Sequence, residues 1–158
     1  MSLREIYPHL CQPFPLKALE IKPGATTRDK TRALAMPYAD IRVYQQCLDD
    51  IVGPEDWQVS YRPWGEAAVI CQLTLLGVAR EDIGEVGEDG DNKFTSAVAR
   101  AFKRACSCFG LGRYIYGLPT VWAEYDADRR VFKDVKGTLE QIYRQAGILL
   151  SSASDRSR

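Results

Sequence analysis

The sequence predicts an α+β fold in which an antiparallel β-sheet carries helices packed on one face. Several short segments alternate apolar and polar residues, which is the pattern of half-buried strands. Longer segments repeat their apolar residues every three or four positions, as amphipathic helices do. The resulting order is helix, hairpin, helix, three-stranded meander, basic helix and a small terminal unit. That order is typical of an α+β domain.

The first half of the chain is expected to form a helix, a hairpin and a second helix. Proline and glycine mark the boundaries, because both residues interrupt regular structure. The predicted bounds are residues 1–11 for the first helix, 16–22 and 32–37 for two strands with a turn beginning at Pro23-Gly24, and 38–52 for the second helix, which Gly53-Pro54 ends.

The second half is expected to form a meander, a basic helix and a small terminal unit. Its strands are recognised by alternation and its loops by glycine and acidic residues. The predicted bounds are residues 57–64, 67–79 and 80–86 for strands with Gly65 at the first turn, 85–91 for a flexible acidic loop, 114–125 for an extended aromatic segment, 131–132 for a short strand and 137–150 for a last helix.

Composition restricts the class of protein. At 158 residues the chain is long enough for one domain with a core, and 46% apolar content argues against disorder. No apolar run approaches the roughly 20 residues that span a bilayer, and the N-terminus lacks a signal pattern. We therefore expect a cytoplasmic protein whose five cysteines are reduced, with no membrane partner.

We expect one domain over residues 1–150 and a disordered tail over residues 151–158, which are rich in serine, arginine and aspartate. The chain ends without a structured cap, so it is expected to be a piece of a longer protein.

The segment from Asn92 to Leu118 concentrates positive charge. The whole chain balances 21 basic against 21 acidic residues, but this segment has no acid and contains five basic residues: Lys93, Arg100, Lys103, Arg104 and Arg113. Such a concentration is typical of a surface that binds a polyanion, most often nucleic acid. The alternative is an ordinary core-packed helix with a solvated charged face.

The same segment has strong helical periodicity. Gly110 is expected to end the helix, since glycine readily takes the left-handed conformation after a last turn. The predicted apolar face consists of Phe94, Val98, Ala101, Phe102, Ala105 and Phe109.

The order of residues in this helix resembles the signature helix of the single-strand-annealing recombination mediators, the Rad/Sak-type superfamily of eukaryotes and phages. The matching motifs are Ala97-Val98, Phe102-Lys103-Arg104-Ala105 and Phe109-Gly110. Upstream, Tyr38, Arg42, Gly53 and Trp57 also follow the family order. The resemblance covers roughly residues 18–118 and is strongest to a bacterial DNA damage response branch.

The resemblance implies a ring-forming homo-oligomer whose subunits pair sheet to sheet and whose outer groove holds single-stranded DNA. It places Lys103, Arg104 and Arg42 in that groove. The full set of predicted DNA-binding residues is Arg42, Lys93, Arg100, Lys103, Arg104, Lys22, Arg28 and Lys30.

Two departures bear on activity. Ser107 stands where family members carry a third basic residue, and Arg100 stands where an acid is common. The two departures imply weak or absent annealing. The resemblance to the bacterial branch implies a nucleoid-associated protein that protects single-stranded 3′ ends during repair and recombination.

Enzymatic alternatives have less support in the sequence. It contains no phosphate loop, and His9, the single histidine, has only Cys11 nearby, so neither a catalytic site nor a metal or cofactor is predicted. The best alternative is a metal-dependent nuclease using Glu20 and Lys22, which still needs a second carboxylate, from Glu5 or the segment 81–91.

A third hypothesis is a protein-interaction module. Its surface would be the aromatic stretch of Tyr114, Tyr116, Trp122 and Tyr125. Core packing is the simpler expectation for at least half of these residues.

Overall fold

A computed structural model of the chain describes residues 1–88 and 90–150. Within these residues the chain forms two compact units, one from residues 1–12 and 41–114, the other from residues 13–40 and from Ile115 onwards. Both units contain antiparallel strands and helices, so the predicted α+β class is confirmed. The assignment of residues 1–150 to a single domain stays a prediction.

The first unit is built on a three-stranded meander covered by helices. Its helices are α1 (Leu3–Leu10), α2 (Ile41–Ile51) and α3 (Lys93–Cys108), and its strands are β3 (Trp57–Trp64), β4 (Ala68–Leu75) and β5 (Val78–Glu85) in the order β3-β4-β5. Helix α3 packs on β4 and β5, and α2 packs on α3. Its best-buried side chains include Leu73, Leu75, Phe102, Phe109 and Leu48.

The second unit is a four-stranded antiparallel sheet with one helix. Its strands are β1 (Glu20–Thr26), β2 (Arg32–Tyr38), β6 (Val121–Asp126) and β7 (Val131–Phe132) in the order β1-β2-β6-β7, and its helix is α4 (Val135–Gln145). The core is a cluster of aliphatic and aromatic residues comprising Ala33, Ala35, Val121, Tyr125, Phe132 and Ile142.

The predicted turn at Pro23-Gly24 is wrong. Strand β1 continues to Thr26, and its pairing with β2 shifts register between Pro23 and Thr26. Proline donates no backbone hydrogen bond, which an edge strand such as β1 tolerates. The turn follows at residues 27–31. There Asp29 accepts hydrogen bonds from Thr27 Oγ1 at 2.7 Å, Thr31 Oγ1 at 2.9 Å and Thr31 N at 3.1 Å.

Other boundaries also differ. Residues 16–18 form a short 3-10 helix instead of a strand, and residues 113–117 form another where an extended segment was expected. The turn between β4 and β5 falls at Leu76-Gly77, both with positive φ, so the predicted strand 67–79 was too long. Helix α4 begins two residues early, after Asp134, whose side chain accepts a hydrogen bond from Gly137 N.

Two sequence predictions lie outside the described residues. These are the disorder of residues 151–158 and the conformation of the loop at Asp89. Among the residues that are described, no helix combines the length and apolar character needed to span a bilayer.

Candidate nucleic-acid interface

Helix α3 lies unusually close to β5 because Gly84 has no side chain. A Cβ atom built on Gly84 would overlap the Ala97 carbonyl oxygen and would come within 2.5 Å of Ala101 N. The small residues Ala97, Ala101 and Ala105 are all fully buried on this side of the helix. The backbones of α3 and β5 therefore meet almost directly, and polar side chains at the edge of the contact can reach from one element to the other.

The burial of α3 corrects part of the predicted apolar face. Four of its residues are fully buried as expected, namely Ala101, Phe102, Ala105 and Phe109. Phe94, however, is 54% exposed, and Val98 is only half-buried. Phe94 lies in the first turn of α3, before the helix reaches its closest approach to the sheet. Ala97 and Cys106 are also fully buried, although neither belongs to the predicted apolar face.

Arg104 and Arg100 both reach from α3 to β5. Arg104 Nε lies 3.2 Å from Asp82 Oδ1, and half of the Arg104 side chain is exposed. Arg100 donates a hydrogen bond of 3.2 Å from Nη1 to the Glu85 carbonyl oxygen. Both guanidinium groups are thereby held beside the sheet at the surface of the unit.

Lys103 instead points toward α2. Its Nζ lies 6.0 Å from the centroid of the Tyr44 ring, within the range of a cation–π interaction. Tyr44 is buried and packs over Gly112, where a Cβ atom would overlap the ring. Lys103 is half-buried and is held by the α2 and α3 pair.

Arg42 and Lys93 are exposed at other positions of the same unit. Arg42 is two residues from Tyr44 on α2, which is about 200° around the helix. The groove predicted to join Arg42 with Lys103 and Arg104 therefore stays a prediction. Lys93, at the first position of α3, has its Nζ 5.3 Å from the Phe94 ring centroid.

The C-terminal end of α3 holds two arginines outside the set of predicted DNA-binding residues, Arg80 and Arg113, of which only Arg113 belongs to the basic segment 92–118. Arg80 on β5 donates from Nη1 to the Cys108 carbonyl oxygen at 2.5 Å, and its guanidinium lies 4.7 Å from the Phe109 ring centroid. Arg113 donates to the carbonyl oxygens of Ser107 at 2.8 Å and Cys108 at 3.2 Å. Cationic groups at a helix C-terminus offset its negative dipole end.

The Cys108 thiol sits among these charges. Burial and the nearby Asp82 carboxylate raise its pKa, and the two arginines Arg80 and Arg113 oppose that shift only in part. The thiol is therefore held in its neutral form at physiological pH, and it contributes no charge to the surface around it.

The remaining predicted DNA-binding residues belong to the second unit. Lys22 lies on β1 with its Nζ 5.7 Å from the Tyr38 ring centroid, while Arg28 and Lys30 lie in the turn between β1 and β2. All three are exposed. The hydrogen bonds that Asp29 accepts, above all the one from Thr27, lower the pKa of its carboxyl group and connect the two ends of this turn.

The nuclease alternative depends on Glu20 and Lys22. Glu20 is paired in register with Tyr38, whose pKa is raised by burial and by the Glu20 charge. Within residues 1–88 and 90–150 no cluster of three histidine, cysteine, aspartate or glutamate residues is arranged to hold a metal ion.

The aromatic stretch is divided between core and surface. Tyr125 is buried against Phe132, with ring centroids 5.0 Å apart. Tyr116 is 64% exposed and Trp122 is 45% exposed. Tyr114 is half-buried. Only Tyr125 of the four rings is buried in the core, so the expectation that at least half of them are core residues is wrong.

Comparison with known proteins identifies the family. Two curated relatives, each called single-stranded DNA-binding protein DdrA, are 39% identical over 133 residues in Deinococcus radiodurans and 38% identical over 133 residues in Deinococcus deserti. Both matches cover 82% of this chain, but the chain spans only 64% and 66% of the lengths of these two relatives. The family model described as Rad52/22 family double-strand break repair protein matches residues 3–131. The resemblance inferred from the sequence is therefore confirmed, and the chain belongs to the Rad52/22 family of double-strand break repair proteins.

Proposed function

We propose that this protein binds single-stranded DNA during DNA repair and recombination, without regard to base sequence. The observation that carries the proposal is the set of basic side chains fixed along α3 by contacts to β5 and α2, namely Arg100, Lys103 and Arg104. Basic groups that follow a strand of phosphates supply most of the affinity of non-specific binding. The names of the relatives agree with this activity.

Salt titration tests the proposal directly. Affinity for a single strand should fall steeply as salt rises, with a slope of about −0.7 in log K against log salt for each phosphate contacted. Measurements on single-stranded, double-stranded and tailed DNA of matched length would show preference for the single strand. Equal or tighter binding to duplex DNA contradicts the proposal.

The proposed biological role is protection of 3′ ends by a ring oligomer that acts at the nucleoid. A ring that grips a single-stranded tail blocks an exonuclease sterically, with no chemical step. The β3-β4-β5 sheet has β3 and β5 at its edges, and a neighbouring subunit would cover such an edge. Light scattering at micromolar concentration tests the assembly, and a monomer there counts against it.

Digestion of a 3′-tailed duplex by a 3′ exonuclease, with and without saturating protein, tests protection. We expect slower digestion with the protein and little annealing of complementary strands, given Ser107 and Arg100. Unslowed digestion contradicts the protective role. Loss of DNA with the protein alone, abolished by Glu20→Ala, would instead favour the nuclease alternative.

A further inference from the structure

Arg80 and Arg113 form a pair of guanidinium groups that converge on one atom at the C-terminal end of α3. Arg80 Nη1 lies 2.5 Å and Arg113 Nη2 lies 3.2 Å from the same Cys108 carbonyl oxygen. The two nitrogens are therefore separated by no more than the sum of those distances. Both side chains are exposed, so the pair faces solvent.

Both guanidinium groups are positioned by contacts within the protein itself. Arg80 stacks on the Phe109 ring, while Arg113 also donates to the Ser107 carbonyl oxygen and, from Nη1 at 3.3 Å, to the Tyr7 hydroxyl oxygen. Side chains that are already ordered lose little conformational entropy on binding. A guanidinium also presents a planar set of donors that suits phosphate oxygens.

Among residues 1–88 and 90–150, neither of the two positive charges is paired with a carboxylate in a salt bridge. The partners of Arg80 and Arg113 among the described residues are carbonyl oxygens, a hydroxyl and a ring, and neither arginine forms an ion pair there. One cation is enough to offset the end of a helix, which carries only about half a negative charge. The second guanidinium leaves an excess of positive charge, and two like charges this close repel each other.

We propose that Arg80 and Arg113 together hold one backbone phosphate of the bound single strand, which extends the DNA interface past the C-terminal end of α3. This inference rests on the proposed function. Helical geometry supports the continuity of the two sites. Arg104 and Cys108 are four residues apart on the same side of α3, about 6 Å along its axis. A strand that contacts Arg104 thus reaches the pair within about one nucleotide.

The test compares Arg80→Gln/Arg113→Gln with the wild type and with Arg62→Gln as a matched control. Arg62 is also exposed, but it pairs with Glu81 at 2.7 Å and is not part of the proposed interface. Binding of a fluorescent single-stranded oligonucleotide is measured across a salt series. The double variant should lose about 0.7 from the slope of log K against log salt, the share of one phosphate, and the control should keep the wild-type slope.

Thermal unfolding of the same samples separates a capping role from a binding role. Loss of a cap alone lowers Tm and leaves the salt slope unchanged, and that result overturns the proposal. If the double variant does not fold, each single Gln variant is measured. Each should bind several-fold more weakly at low salt and approach the wild type at high salt, whereas wild-type affinity in both overturns the proposal.

Two further measurements show whether the bound phosphate belongs to the DNA backbone, and whether a negative result concerns the arginine pair or the proposed function. The affinity that the double variant loses should be the same for oligonucleotides with and without a terminal phosphate. A loss of affinity confined to the phosphorylated oligonucleotide overturns the assignment to the backbone. If the wild type does not bind single-stranded DNA, the proposed function itself fails. If it binds and Lys103→Ala/Arg104→Ala weakens it while the Arg80 and Arg113 variants do not, only the phosphate pair fails.

Discussion

Arg104 Nε on α3 lies 3.2 Å from Asp82 Oδ1 on β5, so one of the basic residues proposed to contact DNA is paired with a carboxylate. An incoming phosphate must approach Arg104 close to that negative charge. Exposed ion pairs of this kind contribute only about 0–1 kcal/mol to stability. We therefore expect the Asp82 carboxylate to weaken anion binding at Arg104 more than it stabilises the fold.

We therefore expect Asp82→Asn to tighten binding to single-stranded DNA. A unit charge about 6 Å from a phosphate in water repels it by about 0.7 kcal/mol, which corresponds to about a threefold change in affinity. Glu81→Gln removes the same charge from the adjacent position of β5, where the carboxylate pairs with Arg62. Affinities at low salt check the expectation, and equal tightening in both variants contradicts it.

Replacing Lys103 and Arg104 together by alanine should weaken binding and flatten the salt dependence. Two lost phosphate contacts change the slope of log K against log salt by about 1.4 for a single strand. The fold should persist, because Arg104 is exposed and Lys103 is only half-buried. Arg129→Ala/Arg130→Ala, which removes two exposed charges from the turn between β6 and β7, is the control. A folded Lys103 and Arg104 variant with wild-type slope would place the interface elsewhere.

Gly84→Ala should destabilise the protein through the contact between α3 and β5. The added methyl group would overlap backbone atoms of α3, which cannot rotate away as a side chain can. Overpacking a core typically costs about 1–3 kcal/mol. Gly117→Ala is the matched control, because a Cβ atom there meets nothing within 4 Å and the backbone needs no positive φ. Urea unfolding measures both variants, and an equally stable Gly84 variant would show that the contact is loose.

The exposed pair formed by Glu81 and Arg62 should make a small, pH-dependent contribution to stability. Hydrogen bonds from Arg62 lower the pKa of the Glu81 carboxyl group. A lowered pKa in the folded state contributes stability above the unfolded pKa of about 4.3, and this contribution is lost as pH falls through the folded pKa. In Arg62→Gln the Glu81 pKa should rise toward its ordinary value. Carboxyl titration by NMR checks the shift, and an unchanged Glu81 pKa rules out Arg62 as its cause.

Strand alternation and helical periodicity predicted most elements of the fold because both reflect local burial. The predictions failed where tertiary position decided the outcome. Pro23 looked like a turn residue, yet β1 lies at a sheet edge and continues past it. Phe94 fitted the helical stripe, but the first turn of α3 lies away from the closest contact with β5, so the ring is exposed.

The candidate site was predicted only as far as it lies on one helix. Lys103 and Arg104 are recognisable from the charge and order of residues within α3. Arg80 is 28 residues before Cys108 in the chain and meets the end of α3 only through the sheet. No local pattern in the sequence connects the two residues, so Arg80 could not be assigned to this surface.

The different partners of the arginines in the first unit have a consequence for how the protein behaves on charged matrices. Arg62 is neutralised by Glu81, while Arg80 and Arg113 are held by carbonyl oxygens, which fix a side chain without removing its charge. A chain with formal net charge +0 can therefore carry a local cationic patch at Arg80 and Arg113. Its retention on heparin or a cation exchanger should follow that patch, and its isoelectric point of about 6.6 should be a poor guide to purification.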